Sequence, residues 1–401
     1  AYSLEAVLMA EKKEKVAIIN RSFWPIYPVI GEALLRFAER ESKNSDVSVI
    51  MQDHSGIRSQ LLQHHRGEGV NFFPCKAWSV SGSGILRRIL DAVFFMVWVF
   101  LVLIWKRPTK VYVSTDPPVL VPFIVMVYCK LFSSKYVYHL QDIHPEAANV
   151  VIPVNPFVFK VLQKIDSLVM RNADLLITIT DEMATEIKNR SRTAVPIVLL
   201  PNPSVSFDDF KQPLEKVKGF TFCGNAGRLQ RIPLLISAID AYCKRGGSLP
   251  FVFAGAGVHA EDLKKLADKY SNIDYRGLIT PAEAASLNSE YQWALLPIED
   301  EVTRYAFPSK SSSYVFSGAF IAAICGEHTS VAEWVSLNKL GAVVEPSEKS
   351  LCAFFAAVEN NQVGYQNFDV NRSKLKEALS FEVFVNELSS LVCPKEVANE
   401  K

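Results

Sequence analysis

The run Tyr136-Val137-Tyr138-His139-Leu140 is made of strand-forming residues and delivers Gln141, Asp142, His144 and Glu146 into one short loop, where Pro145 stops the strand. A carboxylate and an imidazole at a strand end can take a proton from a bound hydroxyl. The carboxyl ends of strands in an open parallel sheet are where ligands bind. Asp142 is the first candidate for such a base, His144 the second, and Glu146 the group that fixes the loop. The same residues also read as a polar loop in which Asp142 caps the following helix.

Hydrophobic runs alternate with helix-length segments along nearly the whole chain, which is the pattern of an α/β protein with parallel sheets. Strands are expected over 16–20, 47–51, 111–114, 136–140, 175–180 and 197–200, with helices over 30–40, 85–106, 118–132, 156–171 and 181–189. Two prolines and short polar residues make 201–210 a linker. A second series follows, with strands over 220–223, 251–254, 273–276, 293–297, 320–324 and 342–344. Its helices are expected over 234–244, 260–270, 281–289, 310–316 and 331–337. The matching layout predicts two doubly wound, Rossmann-like domains facing a cleft, over 15–203 and 204–373, with a helical segment over 374–401 packing back on the first.

The 401 residues are 49% hydrophobic and 21% charged with a net charge of +1, which argues against long disordered tails and gives no reason to expect a nucleic-acid partner. The seven cysteines are scattered without CxxC spacing, as expected of buried thiols in a reducing compartment, and offer no metal cluster. Ala1 to Ala10 is apolar but lacks the basic start of a signal peptide, and residues before Glu14 are expected to lie outside the fold. Ala92 to Trp105 is an uninterrupted apolar run with Arg87 and Arg88 before it and Lys106 and Arg107 after it. A bilayer crossing needs roughly 20 such residues. The run therefore reads either as a core helix or as one lying on an anionic membrane surface.

Several short motifs, taken in order, resemble family-4 glycosyltransferases of the GT-B fold, in the bacterial branch that builds O-antigen, capsule and exopolysaccharide. They are Ser114-Thr115-Asp116-Pro117-Pro118, the loop from Gln141 to Glu146, Arg171-Asn172-Ala173-Asp174, Leu200-Pro201-Asn202-Pro203, the turn from Gly224 to Gln230, and Pro308-Ser309-Lys310. The similarity spans about Val16 to Pro346. It implies transfer of a sugar from a nucleotide-sugar donor to an acceptor hydroxyl, with retention. The acceptor would lie on the N-terminal domain and the donor on the C-terminal one. Gly224, Gly227, Gly255 and Gly257 would let backbone amides approach the diphosphate. Lys310, Arg228 and, more weakly, Arg231 would supply cations, with Asn225, Ser309 and Ser313 beside them. No Asp-x-Asp triplet stands at a strand end, so no obligatory metal and no other cofactor is expected.

Two glutamates of many relatives are replaced here by Tyr305 and Ser313, and a serine cannot clamp two ribose hydroxyls as a carboxylate does. Glu299, Glu301 and Glu327 stand nearby in sequence as substitutes. The expected function is a transferase that extends a polyprenyl-linked saccharide in bacterial surface polysaccharide synthesis. It would be cytoplasmic and peripheral on the inner leaflet. The alternative is a GT-B scaffold that has lost turnover and binds a glycan lipid or a partner enzyme.

Overall fold

A computed structural model describes residues 13–79, 84–204, 213, 215–364 and 368–394. It contains two wholly parallel sheets. The first has strands β1 (Lys15–Ile19), β2 (Asp46–Asp53), β3 (Val70–Lys76), β4 (Lys110–Ser114), β5 (Lys135–His139), β6 (Leu175–Thr178) and β7 (Ile197–Leu199), in the order β3-β2-β1-β4-β5-β6-β7. The second has β8 (Val217–Cys223), β9 (Phe251–Ala254), β10 (Ile273–Tyr275), β11 (Tyr291–Pro297), β12 (Phe320–Ile324) and β13 (Gly341–Val344), in the order β10-β9-β8-β11-β12-β13. Chain order reverses between β1 and β4 in one sheet and between β8 and β11 in the other. Such switch points open a crevice at the carboxyl ends of the strands.

Burial on both faces explains why these strands read as apolar runs rather than alternating ones. Val16 and Ile18 of β1 face one core while Ala17 and Ile19 face the other. Trp293 and Leu295 of β11 are likewise separated from Ala294 and Leu296. Parallel strands need crossover helices, and the expected helices form within a residue or two of their predicted ends. The sequence reading missed β3 and the helices Ile57–Gln63 and Glu146–Val151. β3 carries Pro74, which is tolerated because this strand lies at the sheet edge and pairs only with β2. Of the linker, 205–210 lie outside the described residues, as do 1–12 and 395–401.

The helix Ile85–Lys106 is 22 residues, about 33 Å long. The fourteen-residue apolar run therefore understates it: by length and by a mean hydropathy of 2.2, Leu86–Lys106 would suffice to cross a bilayer. One face is nevertheless committed to the protein. Phe95, Val99, Val102 and Leu103 are buried in the first sheet's core, and the buried Asp91 accepts from Gln52, Ser79 and the Trp78 amide. The opposite face exposes Leu86, Leu90, Phe94, Val97, Leu101 and Trp105. At the other end of the chain, the helix Phe381–Val392 places Phe384, Val385, Leu388 and Val392 in the first sheet's core, and Ser389 donates to Glu41.

Candidate active site

Three chain segments leave the first switch point together. Arg21 follows β1, Thr115 and Asp116 follow β4, and the loop from Gln141 to Glu146 follows β5. Arg21 donates from Nε to Asp116 at 2.9 Å and pairs with it through its terminal nitrogen at 2.8 Å, and Asp116 also accepts from the Ser22 amide. The loop's backbone is tied outward. The Gln141 amide donates to Thr115 Oγ1 at 3.2 Å, the Ile143 amide to the Tyr305 carbonyl at 2.8 Å, and Asp142 forms an isolated antiparallel bridge with Ala306. Pro145 has no N–H to contribute.

The four polar residues of this loop do different things. Gln141 turns back into the protein. Its amide nitrogen lies 2.9 Å from His139 Nε2, and its oxygen accepts from Asn202 of the linker at 2.6 Å. With Nε2 accepting, His139 carries its proton on Nδ1, facing the Tyr112 hydroxyl at 2.6 Å. Glu146 is buried and pairs with Arg190 at 2.7 Å while accepting from Gln163 at 2.8 Å. It therefore cannot reach a substrate, and its part is to fix the loop. Asp142 and His144 remain. Neither side chain has a hydrogen-bond partner among the described residues. The helix beyond begins at Glu146 without any side-chain cap, so Asp142 does not serve as one.

Burial, and secondarily the neighbouring Asp116, push the Asp142 carboxyl up to about 6. His144 is lowered to about 4, chiefly by burial; Asp116 opposes the shift, while Arg190 and Arg21 add to it. At neutral pH the pair is an ionised carboxylate beside a neutral imidazole, and both can accept a proton.

At the second switch point the glycines are required by close approach. A Cβ at Gly224 would overlap Lys310 Nζ, one at Gly255 would overlap the Gly224 carbonyl, and one at Gly257 would meet Ala226 O at 2.5 Å. Gly224 and Gly257 have φ of +144° and +142°, where side chains are disfavoured. Gly227 packs against Asn225 and Gln230 in the same turn. Lys310 opens the helix Lys310–Ser317, and its ammonium lies 4.4 Å from the Phe222 ring centroid. Burial lowers it to about 8, and it forms no ion pair among the described residues. Beside these turns is a hollow of about 330 Å³ lined by Cys223, Gly224, Asn225, Gly255, Leu278 and Ile279.

The remaining candidates are less concentrated. Arg228 is exposed on the turn, without a partner among the described residues. Arg231 is engaged in the protein, donating to the Ile298 carbonyl and pairing with Glu299 and Asp300, while the Glu299 side chain stays partly exposed. Ser313 donates to the Lys310 carbonyl at 2.8 Å. Ser309 faces the linker, lining a small hollow with Asn202 and Trp334. Tyr305, at one of the glutamate positions, is buried in the first sheet's core. Between the two sheets lies a cavity of about 300 Å³ with Asp142 and His144 on one side and Leu229, Val302, Tyr305 and Ala306 on the other. Sequence reasoning missed the roles of Asp116, Arg21 and Arg190. The motif containing Asp116 was visible, but its pairing with a residue 95 positions away was not.

No family model matches the chain. It is 27% identical over 245 residues to the Probable glycosyltransferase WbjE of Pseudomonas aeruginosa, an alignment covering 57% of this chain and 60% of that relative's length. Among solved structures it resembles HepE of Anabaena in complex with UDP (13% identity, TM-score 0.60, 94% of this chain and 99% of that one). It also resembles the lipopolysaccharide outer core galactosyltransferase WaaB (14%, 0.63, 94% and 98%) and a sucrose-phosphate synthase of Thermosynechococcus elongatus (12%, 0.66, 94% and 98%). The expected architecture, two Rossmann-like sheets in the GT-B arrangement, is the observed one.

Proposed function

We propose that this GT-B protein is a retaining family-4 glycosyltransferase that moves a sugar from a nucleotide-sugar donor to a saccharide acceptor in bacterial surface polysaccharide synthesis. The observation that carries this reading is the seam between the sheets. The bridge from Asp142 to Ala306 sets the proton-accepting loop against the segment that leads into Lys310. An acceptor hydroxyl held at Asp142 and His144 gives up its proton there as its oxygen attacks the anomeric carbon on the face the diphosphate is leaving, so that configuration is retained. The bond from that carbon to the diphosphate breaks, and Lys310, Arg228 and the amides of the glycine turns take the charge that develops on the leaving group. Cations and amides suffice for this, so no metal is required. Homology to a probable glycosyltransferase and likeness to a UDP-bound GT-B structure support the reading.

The acceptor we propose is polyprenyl-linked, at the cytoplasmic face of the membrane. The exposed apolar face of helix Ile85–Lys106, with exposed Arg87, Arg88 and Arg107 at its ends, suits an anionic leaflet. Incubation with a panel of nucleotide sugars, with and without bacterial membrane lipid extract, tests the proposal. Release of a nucleoside diphosphate that needs both one sugar nucleotide and the extract is the expected result. Nucleotide binding without release under any combination would instead favour a GT-B scaffold without turnover, a reading for which the burial of Tyr305 and the inward hydrogen bond of Ser313 speak.

A further inference from the structure

Arg190 stands at the inner side of the helix Asp181–Ser191 with its guanidinium almost wholly buried. One terminal nitrogen donates to the His144 carbonyl at 2.8 Å and to Glu146 at 2.7 Å. The other bonds Asp166, which accepts from the Tyr138 hydroxyl at 2.6 Å. Its Nε is buried without a hydrogen-bond partner. A buried guanidinium between two buried carboxylates is a costly way to fill a core, and apolar residues of similar volume usually serve stability as well or better. What the cluster does, and apolar packing cannot, is hold a carbonyl of the loop.

The loop's other ties show why that matters. Two of them, from Ile143 to Tyr305 and from Asp142 to Ala306, run to the segment after β11 and depend on the two sheets staying together. The residue after His144 is a proline and donates nothing. Thr115 holds only the entry of the loop, at Gln141 and Asp142. We propose that Arg190 is a positioning residue for Asp142 and His144, fixing the far side of their loop independently of contact with the second sheet. Glu146 and Asp166 orient the guanidinium, and Tyr138 and Gln163 orient those carboxylates in turn. The kinetic consequence rests on the transferase reading; the structural one does not.

Two variants test this. Arg190→Lys keeps the charge but loses the planar fork. Arg190→Met/Glu146→Gln/Asp166→Asn neutralises the guanidinium and both carboxylates together, so that no buried ion is stranded. Because charge is conserved in Arg190→Lys, any movement of the His144 titration, followed by NMR of ¹⁵N-labelled protein, reports geometry. Asp116, Arg21 and residue 190 are the charges that face His144 in both proteins. The expected result is a kcat lower by on the order of 10²-fold in either variant with donor KM little changed, since small misplacements of reacting groups cost that much. The triple variant should keep its melting temperature, and His144 in Arg190→Lys should titrate closer to the free value of about 6.5. Unchanged His144 titration in Arg190→Lys, with kcat per folded molecule within about twofold of wild type in both variants, would overturn the proposal. If wild type transfers no sugar, the transferase reading fails and the His144 titration alone decides. If the triple variant does not fold, Arg190→Lys decides.

Discussion

The two switch points handle charge in opposite ways. At the first, the cations are matched by carboxylates: Arg21 by Asp116, and Arg190 by Glu146 and Asp166. What is left over is an unpartnered carboxylate and a neutral imidazole, Asp142 and His144. At the second, Arg231 is matched by Glu299 and Asp300, and what is left over among the described residues is two cations, the exposed Arg228 and the partly buried Lys310, beside a turn rich in glycine. One lobe thus keeps a proton acceptor in reserve and the other keeps room for an anion. Partly buried groups left unpaired cost stability, and such costs concentrate where a ligand will complete the set. On the proposed transferase reading, this inequality assigns acceptor activation to the first lobe and leaving-group stabilisation to the second.

Breaking the first lobe should have the largest effect. Asp142→Asn should lower turnover by on the order of 10²-fold or more in a steady-state assay. The carboxyl is raised in the folded protein, so the folded state takes up this proton before the unfolded one does. Wild-type stability from this group therefore falls as pH rises from about 4 to about 6. The asparagine variant escapes that penalty and should melt no lower than wild type at pH 7. Wild-type turnover should fall as pH drops through about 6, where Asp142 protonates, whereas His144, lowered to about 4, adds no inflection between pH 5 and 8.

The second lobe should respond in affinity rather than turnover. Lys310→Ala should weaken nucleoside diphosphate binding by roughly 1.5–3 kcal/mol, the range for a hydrogen bond to a charged group, and titration calorimetry would read it. Wild-type affinity should decline as pH rises above about 8, where the buried ammonium loses its proton, and the variant should lack that decline. Chelating divalent metal should change neither. Gly224→Ala should both displace Lys310 and strain a φ of +144°, lowering stability by about 1–3 kcal/mol in thermal melts along with nucleotide affinity.

The smallest expected effect lies outside both lobes. Arg87→Glu/Arg88→Glu should reduce flotation with anionic vesicles, each cation near such a surface being worth about 1 kcal/mol. Equal, negligible flotation of wild type on anionic and neutral vesicles would remove the interfacial role of helix Ile85–Lys106.

Much of this was legible in the chain because parallel strands buried on both faces leave continuous apolar runs, such as Phe320–Ile324, which formed where expected. β3 was not, because Pro74 interrupts a run that only an edge position can accommodate. The residue types of the site were readable, but their pairings were not. Nothing local distinguishes Glu146, locked to Gln163 and to Arg190 44 residues away, from Asp142, whose side chain has no partner among the described residues. Arg228 and Arg231 are three positions apart in one turn, yet one is exposed and the other is bound to Glu299 and Asp300. Periodicity reports which face is buried, but ion pairing depends on tertiary neighbours.

If one seam joins a proton acceptor to a diphosphate site, Asp142→Asn should separate the two functions in paired measurements. With the sugar nucleotide that supports release and a lipid-extract acceptor, transfer of labelled sugar into the lipid fraction and calorimetric affinity for the nucleoside diphosphate would be measured on the same preparations. Transfer should fall by on the order of 10²-fold with affinity unchanged. Transfer at the wild-type rate in Asp142→Asn, with the nucleotide still bound, would contradict it.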